Sequence, residues 1–376
     1  MHLVDTTMFF CPRGGGVKKY LLAKRAWLVK FAPRVRHTLL VPGARPGFSD
    51  HVLTCAGPAI PLAGGYRFPL GLARWRDALV ELAPDVIEAG DPYVTGLAAR
   101  EAGARLGIPV VAFCHSDLPR MLKQRVGSWI GPLARSYLRG LYRDYDLVLA
   151  PSATVRDKLE SWGIHNTAQQ PLGVDTDVFS PKHKDPNFRR SIGVAEDARL
   201  LVYAGRFARE KNLHVLTGAV EKLGEPYHLL MVGADRLARP SPRVTQLPYE
   251  GDAGKLARVL ASCDALVHAG DQETFGLIVI EGMACGLPVA AVGVGGTGEL
   301  VTDSVGVRAA RPAVVEMAAA IDALFARDLA RVGAAARERV LGSYSWNMAF
   351  SRLVQHYGHL AGQKIDGRVS LAHAEH

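Results

Sequence analysis

The stretch Asp271–Val292, DQETFGLIVIEGMACGLPVAAV, is the most informative part of the chain. It reads as a loop, a helix and a buried strand in quick succession. Glu273 stands just before a helix start predicted at Phe275–Gly276, and Pro288–Val292 is a short apolar run of strand length. From Phe275 to Val292 the only charged residue is Glu281. An ionised carboxylate in such surroundings is costly unless a partner satisfies it. Two satisfiers stay open: a lysine or arginine inside the protein, or a ligand rich in hydroxyls. Glu273 in the loop would face the same site, with the helix amides between the two acids free to hold a phosphate.

The same alternation extends outward in both directions. Candidate strands are His2–Phe9, His37–Val41, Asp85–Glu88, Pro109–Cys114 and Asp146–Ala150, followed by Leu200–Ala204, His228–Val232, Ala265–His268 and Pro288–Val292. They are rich in Val, Ile and Leu and closed by Gly, Pro or Ser, as parallel strands covered on both faces are. Helical patterns such as Tyr93–Leu106 and Leu213–Leu223 lie between them. The fold class is therefore α/β with parallel sheets. A break with linker composition, Gln169–Asn187 (QQPLGVDTDVFSPKHKDPN), divides the chain. The expected division is a Rossmann-like domain over 1–168 and a second over 169–344. An amphipathic helix at about 345–361 follows, and then a loose tail over 362–376.

At 376 residues, with 48% hydrophobic and 22% charged, the chain is globular and long enough for two cores. Its five cysteines are odd in number and scattered without a CxxC pair, which argues against a disulfide framework or zinc site and suits a reducing cytoplasm. The first residues, MHLVDTTMFF, read as a strand rather than a signal peptide, and no apolar run has spanning length. The formal charge of +9 gathers in two places: Lys18, Lys19, Lys24, Arg25, Lys30, Arg34 and Arg36, then Arg120, Lys123, Arg125, Arg135, Arg139 and Arg143. No nucleic-acid module signature accompanies them, so nucleic acid is not an expected partner. A solvated basic surface and an anionic partner both remain open.

Four further places could carry chemistry. Gly14, Gly15 and Gly16 follow the first strand and lead into a helix, where close backbone approach to a phosphate and a plain tight turn are both admissible. In LVYAGRFAREKNL, Leu201–Leu213, Arg206 and Lys211 follow the carboxyl end of a buried strand, the edge at which open parallel sheets bind ligands. Two such cations can hold a diphosphate or simply cap a loop and helix. His115, in FCHSDLP, ends a first-domain strand, where a histidine is more often a hydrogen-bonded structural residue than a catalyst. Asp175-Thr176-Asp177 is a DxD, a divalent-metal signature in another fold, but it lies in the linker, where aspartates favour turns and caps.

Glu273-x7-Glu281, set in ETFGLIVIEGMACGLPV, resembles the signature of the retaining glycosyltransferases of family 4, which have the GT-B fold. The glycine loop, FCHSDLP, PLGVDTDVF, YAGRFAREKNL, GGTGELV and the closing YSW resemble the family's other segments and stand in its order, so the likeness covers nearly the whole chain. The resemblance implies two Rossmann-like domains facing each other across a cleft, with the last helix, about 345–361, crossing back to the first; the second domain would hold a UDP- or GDP-sugar and the first a glycan or lipid-linked acceptor. It implies that Arg206 and Lys211 neutralise the donor diphosphate, work done elsewhere by a metal, so no cofactor or metal is expected. Gly15 and Gly16 would approach the β-phosphate or acceptor. Glu281 would take the ribose hydroxyls and Glu273 the sugar hydroxyls, with the amides of Phe275, Gly276 and Leu277 assisting the phosphate. His115 would face the donor sugar near its reacting carbon, although Cys114 stands where the family often has an aromatic residue. The implied reaction is hexosyl transfer with retention at the anomeric carbon. A GT-B nucleotide-sugar epimerase, a phosphorylase and a metal-dependent DxD transferase are the alternative readings.

One segment points to where an acceptor would arrive. Leu118–Tyr142 mixes the second basic group with Leu122, Trp129, Ile130, Leu133, Tyr137 and Leu138, and Gly127, Gly131 and Pro132 split it into two predicted short helices. Such a mixture suits an anionic bilayer, which would make the protein peripheral at the inner face of a membrane. Ordinary packing, with arginines on the wet face and Trp129 in the core, is the competing reading.

Overall fold

The computed structural model describes residues 1–11, 15–61, 65–233 and 241–362; the expected loose tail therefore lies almost wholly outside the described residues. The chain divides into two compact units, one made of Met1–Pro171 with the chain from Trp346 on, the other of Leu172–Ser345.

In the first unit the strands are β1 (His2–Thr6), β2 (Arg36–Gly43), β3 (Gly47–Ser49), β4 (Val52–Ala56), β5 (Val86–Ala89), β6 (Val110–Phe113), β7 (Leu147–Ala150) and β8 (Thr167–Gln169). They form one sheet in the order β3-β4-β2-β1-β5-β6-β7-β8, parallel except where the edge strand β3 runs antiparallel to β4. The central strands are buried along their length because helices cover both faces, which is why they read as unbroken apolar runs. The second unit holds β9 (Arg199–Ala204), β10 (Tyr227–Val232), β11 (Val244–Leu247), β12 (Ala265–His268), β13 (Val289–Val292) and β14 (Gly306–Ala309). They pair in the order β11-β10-β9-β12-β13-β14, all parallel.

In both sheets the chain starts at a central strand, builds outward on one side, then crosses to the other. The crossing point lies between β1 and β5 in the first unit and between β9 and β12 in the second. There the loops leaving the carboxyl ends diverge and open a crevice.

Five helices carry the candidate groups or brace the strands beneath them: α1 (Gly16–Phe31), α2 (Leu118–Val126), α3 (Ile130–Tyr142), α4 (Leu277–Ala284) and α5 (Trp346–Leu360). Although α5 follows the whole second unit in sequence, it packs against α1. Trp346 stacks on Phe350 at 4.7 Å, and Trp27 of α1 lies 6.0 Å from Phe350 and donates its indole N–H to Asn347 at 2.9 Å.

Lys24 corrects the reading of the amino-terminal basic group as a solvated face. Its side chain is 1% exposed. The ammonium donates to Asp5 at 2.8 Å and to the Tyr357 hydroxyl at 2.8 Å, and lies 3.1 Å from Glu88. His37 donates to the other Asp5 oxygen at 2.6 Å, and Tyr20 and Tyr357 both donate to Glu88. Every member comes from a different element except Tyr20 and Lys24 of α1, so the cluster ties α5 to the sheet. Burial would raise the Asp5 carboxyl, but Lys24 and then His37 outweigh it and hold it at about 2. For Glu88 burial wins over Lys24 and, helped by Asp5, lifts it to about 7.

Candidate functional site

The second sheet places its chemistry at its crossing point. β9 ends at Ala204, and the loop beyond it carries Arg206 before a short turn over Arg209–Lys211. β12 ends at His268, and the loop beyond it carries Glu273 before α4. Asn212 joins the two loops: in the left-handed region at φ 51°, its side-chain amide donates to the Ala269 carbonyl at 3.0 Å and to Asp271 at 3.4 Å. The join brings Lys211 and Glu273 into a hydrogen-bonded ion pair, with side chains 17% and 18% exposed. His268, buried below them, approaches the same Glu273 oxygen with Nε2 at 3.2 Å. Because an ionised carboxylate only accepts, that nitrogen carries the proton. Burial by itself would raise the Glu273 carboxyl; Lys211, followed by His268, holds it well below the usual carboxylate range.

The backbone around Glu273 is built for close approach. Gly276 caps α4 at φ 112°, a conformation that favours glycine. Gly296 donates its N–H to the Glu273 carbonyl at 2.9 Å, and a Cβ there would lie 2.5 Å from the Phe275 Cα. Phe275 is buried edge-on against Tyr344 at 5.8 Å. At the start of α4 the Val279 and Ile280 amides bond back to the Gly276 carbonyl at 3.0 and 3.3 Å, which leaves those of Leu277 and Ile278 without an intrahelical acceptor among the described residues. Glu281 is buried about one turn into the same helix, and its charge adds to the burial that pushes the Cys285 thiol up to about 12.

Arg206 stands apart. Its side chain is 74% exposed and pairs with Glu210 at 3.3 Å, while the Tyr203 hydroxyl holds its carbonyl at 2.9 Å. Of the two cations expected to act together, only Lys211 joins Glu273. Asp175 of the DxD accepts the N–H groups of Asp177 and Val178, both at 3.0 Å, which is a turn cap.

In the first unit the candidates also gather at the carboxyl edge. Gly15 caps α1 and Gly16 begins it; a side chain at Gly15 would meet no atom within 4 Å, while Gly14 lies outside the described residues. His115 follows β6 with its ring stacked on Phe113 at 4.2 Å and edge-on to Tyr20 at 5.2 Å. Burial, then the nearby Lys24 charge, push its imidazolium down to about 3 against a weaker pull from Asp5. His115 is thus a neutral hydrogen-bonding ring near pH 7, not a cation. The Asp91 carboxylate, just past β5, takes the Thr7 hydroxyl at 3.0 Å and the Met8 and Tyr93 amides at 2.7 and 3.1 Å, so the loops after β1 and β5 are knotted together.

His268 and Asn212 belong to the second site although the sequence did not single them out. A histidine closing a strand at the carboxyl edge, five residues before Glu273, is the signal that marks the first; Asn212 has none beyond its place next to Lys211.

A family model described as glycosyltransferase family 4 matches residues 14–178, and one described as glycosyl transferases group 1 matches residues 184–339. A GDP-mannose-dependent alpha-mannosyltransferase of Mycobacterium tuberculosis is 31% identical over 94% of this chain and 96% of its own. A GDP-mannose-dependent alpha-(1-6)-phosphatidylinositol dimannoside mannosyltransferase of the same species is 29% identical over 80% of this chain and 82% of its own. Among solved structures, sucrose-phosphate synthase of Thermosynechococcus elongatus superposes with a TM-score of 0.75 at 21% identity over 96% of this chain and 99% of that one. Anabaena HepE in complex with UDP-glucose gives 0.74 at 18% identity over 96% of this chain and 100% of that one. The fold is that of the GT-B glycosyltransferases.

Proposed function

Because the chain belongs to the family-4 glycosyltransferases, we propose that it moves a hexose from a nucleotide diphosphate sugar to a glycan or lipid-linked acceptor with retention and without a metal. The observation that carries the reading is the Lys211–Glu273–His268 constellation beside the start of α4, at the crossing point of a parallel sheet. Glu273, fixed by His268 and kept ionised, accepts sugar hydroxyls. As it does so it releases Lys211 toward the diphosphate. The α4 amides and Arg206, on its exposed arm, add to that positive field, so charge developing on the leaving diphosphate meets groups already in place. Glu281 takes the ribose hydroxyls. In the first unit Gly15 and Gly16 admit the β-phosphate or the acceptor, and the neutral His115 offers a hydrogen bond to the donor sugar near its reacting carbon. Retention follows if acceptor and leaving diphosphate share one face of the sugar.

Between UDP and GDP, the names of the mannosyltransferase relatives make GDP-mannose the first donor to test. The second of those names, with its phosphatidylinositol dimannoside, also favours a lipid-linked acceptor. Thermal melts with GDP, UDP and ADP, each with EDTA, are the direct experiment. A ligand at a hundred times its Kd stabilises by about 2.7 kcal/mol, so GDP or UDP should raise the melting temperature in EDTA, and Glu281→Gln should weaken that response. Strict dependence of transfer on Mn²⁺, abolished by replacing Asp175 or Asp177, would overturn the mechanism.

A further inference from the structure

From Leu118 to Arg143 the chain carries Arg120, Lys123, Arg125, Arg135, Arg139 and Arg143 and no aspartate or glutamate. The segment folds as α2 and α3, and α3 is three-sided. One side, with Ala134, Leu138 and Leu141, is buried against the first unit. A second row at i, i+4 spacing is Arg135, Arg139 and Arg143, all exposed. A third row at the same spacing is Trp129, Leu133 and Tyr137, and it also faces solvent: Trp129 is 63% exposed and Leu133 58%. Val126, at the end of α2, is half exposed as well. Lys123, Arg135 and Arg139 pair with no carboxylate among the described residues. The packing reading, which would put Trp129 in the core, is therefore wrong for this helix.

A row of arginines beside a row of exposed Trp, Leu and Tyr matches the layering of a membrane interface: anionic head groups, then the aromatic zone, then acyl chains. A polyanion such as nucleic acid would use the arginines and leave the apolar row idle. We propose that α2 and α3 form the face by which this protein docks on an anionic lipid bilayer. The face is linked to the substrate edge by Tyr137, whose hydroxyl donates to the Pro92 carbonyl at 2.5 Å. Pro92 adjoins Asp91, the knot that holds the loops after β1 and β5. Docking would in this way reach the carboxyl edge of the first sheet through one hydrogen bond. The role of that link in accepting a lipid-linked substrate rests on the transferase reading, whereas the docking does not.

The experiment is co-sedimentation of the full chain with phosphatidylglycerol-containing vesicles and with pure phosphatidylcholine vesicles across a NaCl series, with a short DNA duplex as a competing polyanion. Binding is expected only to the anionic vesicles and to fall steeply with salt. Arg135→Glu with Arg139→Glu should weaken it at least tenfold. So should Trp129→Ala with Leu133→Ser, which leaves every charge in place. Equal binding to both vesicle types at low salt would overturn the proposal. So would DNA binding as tight as vesicle binding with no effect of the Trp129/Leu133 pair. Amide exchange tests the link: anionic vesicles should slow exchange at Tyr93–Thr95 in the native chain and not in Tyr137→Phe, and no slowing in the native chain would remove Tyr137 from the proposal. Both double variants should keep the full melting shift with GDP or UDP. A native chain that sediments with anionic vesicles but ignores every nucleotide would sink the transferase reading and leave the docking face standing.

Discussion

The two units each build a cluster from a lysine, a carboxylate and a histidine, and the clusters have opposite characters. In the first unit Lys24, Asp5, Glu88 and His37 sit under the sheet with side chains at most 4% exposed, and two tyrosine hydroxyls fill the remaining hydrogen-bonding capacity around Glu88. In the second, His268 closes β12 while Lys211 and Glu273 sit past the strand ends, partly open, with the start of a helix beside them. The residue types do not separate a structural cluster from a reactive one. Access and position in the sheet do. A sealed cluster gives a ligand no access, and its charges are expensive to disturb. An open one at a crossing point can exchange its internal partner for a substrate at little cost.

The largest effect that tests this contrast is Lys24→Met. Removing one partner of a buried ionic cluster leaves the others uncompensated and costs about 3–5 kcal/mol, which urea unfolding would read directly. A loss below about 1 kcal/mol, the range of a surface pair, would mean the first cluster is not sealed. Lys211→Ala should behave in the opposite way. Turnover should drop about a hundred- to a thousand-fold, as when one preorganised donor to a developing anion is lost, while the melting temperature near neutral pH moves little. Near-native turnover in that variant would return the second cluster to a structural role.

The smallest effect is one of pH. The folded Glu88 carboxyl sits at about 7 against an ordinary 4.5. Between those values the folded state keeps a proton that the unfolded state has lost, so this group makes stability fall as pH rises through that window. Glu88→Gln mimics the protonated acid, and its melting temperature should lose that decline. Glu273 works with the other sign: held low, its contribution is present above the ordinary carboxylate pKa and disappears only as pH falls through the depressed value. A Glu88→Gln profile parallel to the native one from pH 4.5 to 7 would show that Glu88 does not titrate there.

The strands buried on both faces were legible in the sequence to within a few residues, since Leu39–Val41, Val148–Ala150 or Leu229–Val232 offer nothing but apolar side chains. The strands that escaped, β3, β4, β8, β11 and β14, are peripheral. Gly47–Ser49 is wholly exposed, Val244–Leu247 is half-buried throughout, and Gly306–Ala309 carries Arg308, so none has the apolar run that marks a central strand. The same limit governs the sites. Glu273 and Lys211 were visible because charge beside a buried strand end is conspicuous. What the spacing could not give was their direct pairing, the turning away of Arg206 to Glu210, or the sealing of Lys24 by residues as distant in sequence as Tyr357. Long-range pairing of polar groups leaves no periodic trace along the chain.

The return of α5 to the first unit has a consequence for how the protein is made. Synthesis runs past β1, α1 and β5, and then through the whole of Leu172–Ser345, before the helix that supplies Tyr357 exists. Lys24 and Glu88 thus leave the ribosome long before their last partner. The usual order, in which the amino-terminal unit folds first during translation, is reversed at its final step: the second unit can be complete while the first still lacks its closing helix. A nascent chain stalled after Ser345 would therefore carry a protease-resistant second unit and a first unit open to cleavage around α1.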